Sequence, residues 1–195
     1  MKRLAIVKLS AMGDIIHAMV ALQYIKKQFP NIIIDWFVEE AFKSVLEGNK
    51  DIDNIFSVNL KSIKKDKKAI FSQISLIKQF SKNNYDLIID AQGLIKSAIV
   101  SKLLGKTVAG FSKESIREKF ASSFYKKTVD IAYDENTIDR NVKVLSNPLN
   151  FDITSDDILN KEPFLFYKNE QEIIYDFLST EKKNIIFVVG STWES

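Results

Sequence analysis

The chain of 195 residues contains no cysteine, one histidine, three prolines and six glycines. The absence of cysteine excludes disulfides and thiolate metal sites, and it is typical of a cytosolic protein. One histidine, His17, argues against a histidine-rich metal centre and against a Ser-His-Asp triad. So few glycines and prolines make long low-complexity linkers unexpected. No run of 18 apolar residues occurs, so the sequence predicts no membrane-spanning helix.

The residues that are present indicate a globular protein with a substantial core. Hydrophobic residues make up 46% of the chain and charged residues 27%. The length fits one large domain, or one domain plus part of another. A net charge of +3 argues against a general nucleic-acid binder. The segment "KSIKKDKK" (61–68) nevertheless holds five lysines, and it is either a solvated loop or a patch that meets an anionic partner.

Hydrophobic periodicity predicts alternating strands and helices. Apolar, β-prone runs predict strands over 3–10, 31–40, 52–59, 85–91 and 107–111. Helical spacing predicts helices over 14–29, 69–82, 93–105 and 115–127. Strands that are nearly continuous in apolar residues and alternate with helices are typical of a parallel sheet covered on both faces. The predicted fold class is therefore α/β, with a Rossmann-like, doubly wound parallel sheet.

The last residues predict a second structural unit. A helix is expected over 169–183 and a further strand over 184–191, after which the chain stops at "TWES". This strand is either an edge strand of the first sheet or the first strand of a second domain. Because "VVGSTWES" repeats the layout of "VKLSAMGD", the second interpretation is favoured. The predicted organisation is a domain over 1–165, a linker helix over 166–183 and the first strand of a truncated domain over 184–195.

Three segments are expected to converge where ligands bind in open α/β sheets, beyond the carboxyl ends of the strands. They are "SAMGD" (10–14), "VEE" (38–40) and "DAQGLIKS" (90–97). Asp14 stands where a helix begins, and the positive end of a helix stabilises an ionised carboxylate. Asp14 is therefore either a helix-starting acid or a general base beside a bound hydroxyl. Gly13 either lets a substrate approach the backbone or only makes the turn.

Two other kinds of site fit the sequence less well. A dinucleotide site needs G-x-G-x-x-G at the first turn, and "SAMGDI" lacks it, although Asp35, Glu39 and Glu40 lie where a ribose-binding acid would. The motif "DID" (51–53) resembles the D-x-D of metal-dependent sugar transfer, but it lies at a strand entry, away from the ligand edge.

Three further polar residues have open roles. His17 lies on the same helical face as Asp14, so it either orients that acid or is a half-buried histidine. Gln92 and Lys96 follow the strand over 85–91. They either bind sugar hydroxyls and carboxylates or merely cap and solvate the following helix.

Five motifs in a fixed order carry a resemblance to a known family; they occupy residues 6–22, 35–42, 85–98, 115–125 and 190–195. Together they resemble the ADP-heptose-dependent bacterial lipopolysaccharide heptosyltransferases, in particular the heptosyltransferase I group. The resemblance implies a GT-B glycosyltransferase with two Rossmann-like halves, of which this chain is the N-terminal one. It implies inverting, metal-independent transfer of L-glycero-D-manno-heptose from ADP-heptose to 3-deoxy-D-manno-octulosonic acid (Kdo) on lipid A. No cofactor is implied, since ADP-heptose is the donor substrate.

The resemblance also implies roles for individual residues. The family's catalytic aspartate matches Asp14, and its donor-phosphate hydroxyls match Ser191 and Thr192. The residues expected to contact the acceptor are Ser10, Met12, Gly13, Lys61, Lys64, Lys65, Gln92, Lys96 and Arg117. Lysine stands where the family more usually has arginine in the 61–65 cluster, which keeps the charge but loses bidentate carboxylate binding.

Partners and location follow from the same resemblance, and two rival functions stay open. It implies peripheral contact with the cytoplasmic face of the bacterial inner membrane, an anionic glycolipid acceptor and no nucleic acid. The family continues through a whole second domain, with a donor-binding lysine just after Ser195, so this chain is expected to be an inactive fragment. The rival functions are heptosyltransferase II, which adds heptose to heptose, and a non-catalytic nucleotide- or anion-binding α/β module.

Overall fold

The computed structural model describes residues 1–62, 67–166 and 178–185. Six parallel strands form one sheet in the order β3-β2-β1-β4-β5-β6. The strands are β1 (Arg3–Val7), β2 (Ile33–Glu39), β3 (Asn54–Val58), β4 (Leu87–Asp90), β5 (Val108–Phe111) and β6 (Lys127–Val129). This order confirms the predicted Rossmann-like, doubly wound α/β fold.

Helices cover both faces of the sheet. The α-helices are α1 (Met12–Met19), α2 (Leu22–Gln28), α3 (Lys43–Leu46), α4 (Ala69–Phe80), α5 (Ile95–Leu104), α6 (Thr137–Ser146) and α7 (Ser155–Leu159). Buried residues of α1, α2 and α6 belong to one hydrophobic cluster, and most of those of α4 and α5 belong to the other. No helix among the described residues has the length and apolar character needed to cross a bilayer.

Strand β1 shows why the strands read as continuous apolar runs. Its side chains alternate between the two faces of the sheet. Leu4 and Ile6 lie in the cluster on the α1 side, whereas Ala5 and Val7 lie in the cluster on the opposite side. Because both faces are covered, every one of these positions must be apolar.

Two of the predicted helices differ in the structure. The helix predicted over 14–29 is divided into α1 and α2 at Val20–Ala21. The helix predicted over 115–127 is wrong, because this segment contains one 3-10 helix, Lys119–Phe124, between a 3-10 turn that ends at Ser115 and the edge strand β6. Contacts to neighbouring elements fix the irregular path: Tyr125 donates a hydrogen bond to Asp90, and the Glu118 carboxylate accepts one from the Ile95 amide at 2.7 Å.

The predicted elements near the end of the chain fall largely outside the described residues. Residues 167–177 and 186–195 are not described, so most of the helix predicted over 169–183 and of the strand predicted over 184–191 cannot be compared. Residues 178–183 are described, and they form bends and coil rather than helix. The predicted domain boundaries at 165/166 and 183/184 stay predictions.

The strand order places the ligand-binding edge. The chain winds outward from β1 through β2 to β3, then returns to the other side of β1 with β4. The direction of winding therefore changes between β1 and β4, and the crevice outside the carboxyl ends of two such strands is the usual ligand site of this fold.

Candidate functional site

The loop after β1 is held by its neighbours on both sides. The Lys8 amide donates to the Phe37 carbonyl at 3.2 Å, and the Glu39 amide donates to the Leu9 carbonyl at 3.1 Å, so pairing with β2 continues past the end of β1. On the β4 side, Gln92 Oε1 accepts hydrogen bonds from the Leu9 and Ser10 amides at 3.1 and 3.0 Å. The Gln92 amide oxygen therefore fixes the loop, which leaves its NH₂ group as the part able to contact a ligand.

Asp14 lies in the first turn of α1, at the crevice between β1 and β4. Its Oδ2 accepts a hydrogen bond from the Ala11 amide at 3.4 Å, while Oδ1 accepts none from the described residues. The side chain is half-buried and forms no ion pair with any described residue. Asp14 is thus both a helix-starting acid and a carboxylate with one uncommitted oxygen, since the two interpretations are compatible.

The space over Gly13 is open. Apart from its chain neighbours and the backbone of its own helix, no atom of the described residues lies within 4 Å of a Cβ atom placed on Gly13, and its backbone is that of an ordinary helical residue. The backbone conformation therefore does not require glycine, and the open space is compatible with close approach of a ligand to the backbone. Met12 beside it is half exposed, and Ser10 is partly exposed.

Asp90, at the end of β4, organises the second wall of the crevice. It is fully buried, and its Oδ1 accepts from the Gln92 and Gly93 amides at 2.9 and 3.1 Å. Its Oδ2 accepts from the Ser97 and Tyr125 hydroxyls at 2.9 and 2.8 Å. Burial raises the pKa of Asp90, and these four donors oppose the rise. Because both of its oxygens accept hydrogen bonds from the protein, Asp90 is a structural carboxylate that holds the loop carrying Gln92 in place.

Lys8 is a buried cation beside the candidate site, and no role is predicted for it from the sequence. Only 5% of it is exposed, and its Nζ donates to the Ala91 carbonyl at 2.9 Å. Burial lowers the pKa of Lys8 to about 8, against the opposing effects of the Asp14 and Asp90 charges. The available signal was a lysine interrupting the apolar run "IVKLS".

Further cations surround the same edge of the sheet. Lys61 follows β3, and its Nζ lies 5.4 Å from the centre of the Phe42 ring. Lys96 is exposed in the first turn of α5, and Arg117 is exposed in the loop after β5. Burial raises the pKa of Glu39 at the end of β2, while the charges of Lys96 and Lys61 lower it. Lys64, Lys65, Ser191 and Thr192, to which the sequence assigns binding roles, lie outside the described residues.

Two of the acids considered for a ribose or metal site, Asp35 and Asp53, form ion pairs within the protein away from the crevice. Asp35 is fully buried in the middle of β2, where it forms an ion pair with Arg3 Nε at 2.9 Å and accepts from Tyr85 at 2.7 Å. Asp53, at the entry of β3, forms an ion pair with Lys26 at 2.7 Å. Neither carboxylate reaches the ligand edge, so the ribose interpretation is wrong for Asp35.

His17 does not orient Asp14 through a hydrogen bond. The imidazole is half-buried, and its Nδ1 has no hydrogen-bond partner among the described residues. Of the two interpretations, the structure favours a half-buried histidine on the inner side of α1.

Strand order and crevice together define a Rossmann-like α/β domain, and the Asp14 carboxylate marks a candidate ligand site at the switch between β1 and β4. Residues 73–195 match the family model for glycosyltransferase family 9 (heptosyltransferase). The chain belongs to this family, as the resemblance of its motifs predicted.

Similar proteins agree with this assignment. The chain is 39% identical to lipopolysaccharide heptosyltransferase 1 of Campylobacter coli, over 99% of this chain and 56% of that protein. It is 30% identical to the enzyme of the same name from Pseudomonas aeruginosa, over 98% and 53% of the two chains. E. coli heptosyltransferase WaaC, solved with ADP-2-deoxy-2-fluoro heptose, has a TM-score of 0.73 and 29% identity, over 78% of this chain and 50% of that chain. The chain spans about half the length of the curated relatives it matches.

Proposed function

We propose that this chain is the acceptor-binding half of a heptosyltransferase that transfers L-glycero-D-manno-heptose from ADP-heptose to a Kdo residue of Kdo-lipid A. The observation that carries the proposal is the Asp14 carboxylate, which has one oxygen that accepts no hydrogen bond from the described residues and lies beside the open space over Gly13. Family membership and the similarity to a transferase solved with an ADP-heptose analogue support it. The proposed organisation is an acceptor domain over 1–165, a linker over 166–183 and the start of a donor domain over 184–195.

In the proposed reaction Asp14 is the general base. Its carboxylate takes the proton of a Kdo hydroxyl as that oxygen attacks the anomeric carbon of heptose from the face opposite ADP. The new C–O bond forms as the bond to ADP breaks, and ADP leaves with the electron pair, so the anomeric configuration inverts. Lys61, Lys96 and Arg117 suit an acceptor that carries carboxylates and phosphates, because all three are exposed cations at the same edge.

The remaining contacts belong to the same proposal. Ser10, Met12 and the Gln92 NH₂ group are assigned to the acceptor, as are Lys64 and Lys65. Ser191 and Thr192 are assigned to the donor phosphates. An anionic lipid acceptor and these cations also support peripheral contact with the cytoplasmic face of the inner membrane. No metal or other cofactor takes part in the proposed step.

The test is Asp14→Asn in the polypeptide that joins this chain to its donor half. General-base catalysis contributes about 10²–10⁴-fold, so kcat with Kdo-lipid A should fall by that factor while the Kd for ADP-heptose changes less than about twofold. The exposed Asp152 offers a matched control, and Asp152→Asn should leave both quantities unchanged.

The rival functions give different results. A non-catalytic binding module would show no heptose transfer in any variant. Heptosyltransferase II would transfer heptose to heptosyl-Kdo-lipid A rather than to Kdo-lipid A. Wild-type turnover that survives Asp14→Asn would contradict the role of Asp14.

A further inference from the structure

An apolar groove lies between helices α4 and α5. It encloses a cavity of about 350 Å³, within the range of about 300–1,000 Å³ that is usual for small-molecule sites. Aliphatic side chains of both helices form its walls: Ile70, Ile74 and Ile77 from α4, and Ile99, Val100 and Leu103 from α5.

The groove opens to solvent through aliphatic side chains. Ile70 on α4 is 39% exposed and Ile99 on α5 is 44% exposed, although both line the cavity. Exposed apolar surface that is concave and continuous with a cavity marks a binding site more often than isolated exposed residues do. A ligand that covers these two isoleucines removes them from water.

The polar groups at the groove stand at one end of it. Gln73 has its amide oxygen occupied by the Asn59 amide at 2.9 Å, so that oxygen is committed to the protein. Lys96 is exposed in the first turn of α5, which begins just after the β4 loop that carries Gln92. The groove therefore has a cation at the end that faces the edge of Asp14, and aliphatic walls beyond it.

We propose that this groove binds a fatty-acyl chain of the anionic glycolipid acceptor, with the Lys96 ammonium paired to an anionic group of the same molecule. An aliphatic cleft with a cation at its mouth is complementary to an anionic amphiphile. β1 and β4 are neighbours in the sheet, so the mouth of the groove and Asp14 lie at the same edge. The proposal rests on the proposed function, since it places the lipid part of the acceptor whose sugar meets Asp14.

The first test measures binding to this chain by titration calorimetry. The probes are n-octyl, n-decyl and n-dodecyl phosphate below micelle formation, with inorganic phosphate as the head group alone. Affinity should rise by a factor of about four for each methylene buried, and Lys96→Met should weaken all three alkyl phosphates without changing that dependence on length.

A matched pair of variants locates the site on α5. Ile99→Gln should weaken binding of dodecyl phosphate about tenfold. Ile95→Gln changes the same residue type one turn earlier, at a position that is 38% exposed and does not line the groove, and it should leave the affinity unchanged. Equal effects of the two variants, or no dependence on chain length, would overturn the proposal. A dimer in sedimentation that Ile99→Gln dissociates would also overturn it, since the groove would then bind a second copy.

A second measurement separates this proposal from the proposed function. In the polypeptide with its donor half, KM should be lower for Kdo-lipid A than for its fully deacylated form, and Ile99→Gln should remove most of that difference while kcat is kept. Transfer to neither acceptor would contradict the proposed function. Transfer to both acceptors with equal KM would contradict the acyl site alone.

Discussion

Because Lys8 is a buried cation, the free energy of unfolding of this domain should change with pH in the alkaline range. Burial lowers the pKa of Lys8 from its ordinary value of 10.5 to about 8. The charged groups around it are Asp14 on α1 and Asp90 on β4, which raise the pKa, and Arg140 on α6, which lowers it. Between pH 8 and 10.5 the unfolded chain binds this proton more tightly than the folded chain does. The free energy of unfolding therefore gains a contribution that increases with pH across this window.

The size of the effect follows from the two pKa values. The fall in the pKa of Lys8 from 10.5 to about 8 corresponds to roughly 3 kcal/mol of free energy. This free energy opposes folding at its full value when the pH is well below the pKa of Lys8 in the folded chain. Linkage then predicts that about 2 kcal/mol of it is regained between pH 7 and pH 9.5. In Lys8→Met nothing titrates at this position, so the wild type should gain about 2 kcal/mol relative to that variant over the same interval.

Urea unfolding of wild type and Lys8→Met at pH 7 and pH 9.5 measures this difference, and groups common to both chains cancel. Lys106→Met is the matched control, because Lys106 is exposed at the end of α5, and it should follow the wild type at both pH values. NMR titration of the Lys8 side chain should give a midpoint near pH 8. A stability difference between wild type and Lys8→Met that stays constant within about 0.5 kcal/mol would refute the reasoning.

Three further predictions concern the walls of the crevice. Gly93 has φ = +71°, and a Cβ there would lie 2.8 Å from Ile116 Cγ2, so Gly93→Ala should lower the free energy of unfolding by about 2–4 kcal/mol in urea. Gly13→Ala is the matched comparison, because Gly13 has open space around it. This substitution should leave the free energy of unfolding unchanged or raise it by up to about 1 kcal/mol. It should also weaken acceptor binding measured by calorimetry. A large stability loss in Gly13→Ala would contradict the open site. Tyr125→Phe removes one hydrogen-bond donor from buried Asp90 and should lower the free energy of unfolding by about 1–3 kcal/mol at pH 7. The loss should be smaller at pH 4, because burial raises the pKa of Asp90 and a protonated carboxyl group needs this donor less. An equal loss at both pH values would show that the carboxylate charge is not involved.

The strands could be predicted because covering both faces of a sheet demands apolar residues at every position. β1 and β4 are of this kind, and each was predicted within a few residues of its observed ends. β6 could not be predicted in this way, since it has three residues and two of them, Lys127 and Thr128, are exposed. The wrong helix over 115–127 has a similar origin, because Phe120 and Phe124 have helical spacing while contacts distant in sequence determine their path.

The location of the candidate site could also be predicted from the sequence, but the contacts that each side chain makes there could not. Turns after parallel strands meet at one edge, which brings Asp14 and Gln92 together. Whether a polar atom serves the protein or a ligand depends on contacts between elements, and Gln92 Oε1 accepts from residues more than 80 positions away. Lys8 was missed for the same reason, since its sequence neighbours do not reveal the carbonyl of Ala91 that its Nζ contacts.

The charge of Asp14 disfavours a phosphate at the turn after β1, although many related folds bind one there. A phosphate at such a turn needs free backbone amides at the start of the helix. Here the Leu9 and Ser10 amides donate to Gln92, and the Ala11 amide donates to Asp14. These three amides precede α1 and already donate to oxygens of the protein, and the Asp14 charge in the first turn repels an anion from the amides beside it. The turn after β1 is therefore better suited to a neutral hydroxyl than to a phosphate, as the proposed role of Asp14 requires.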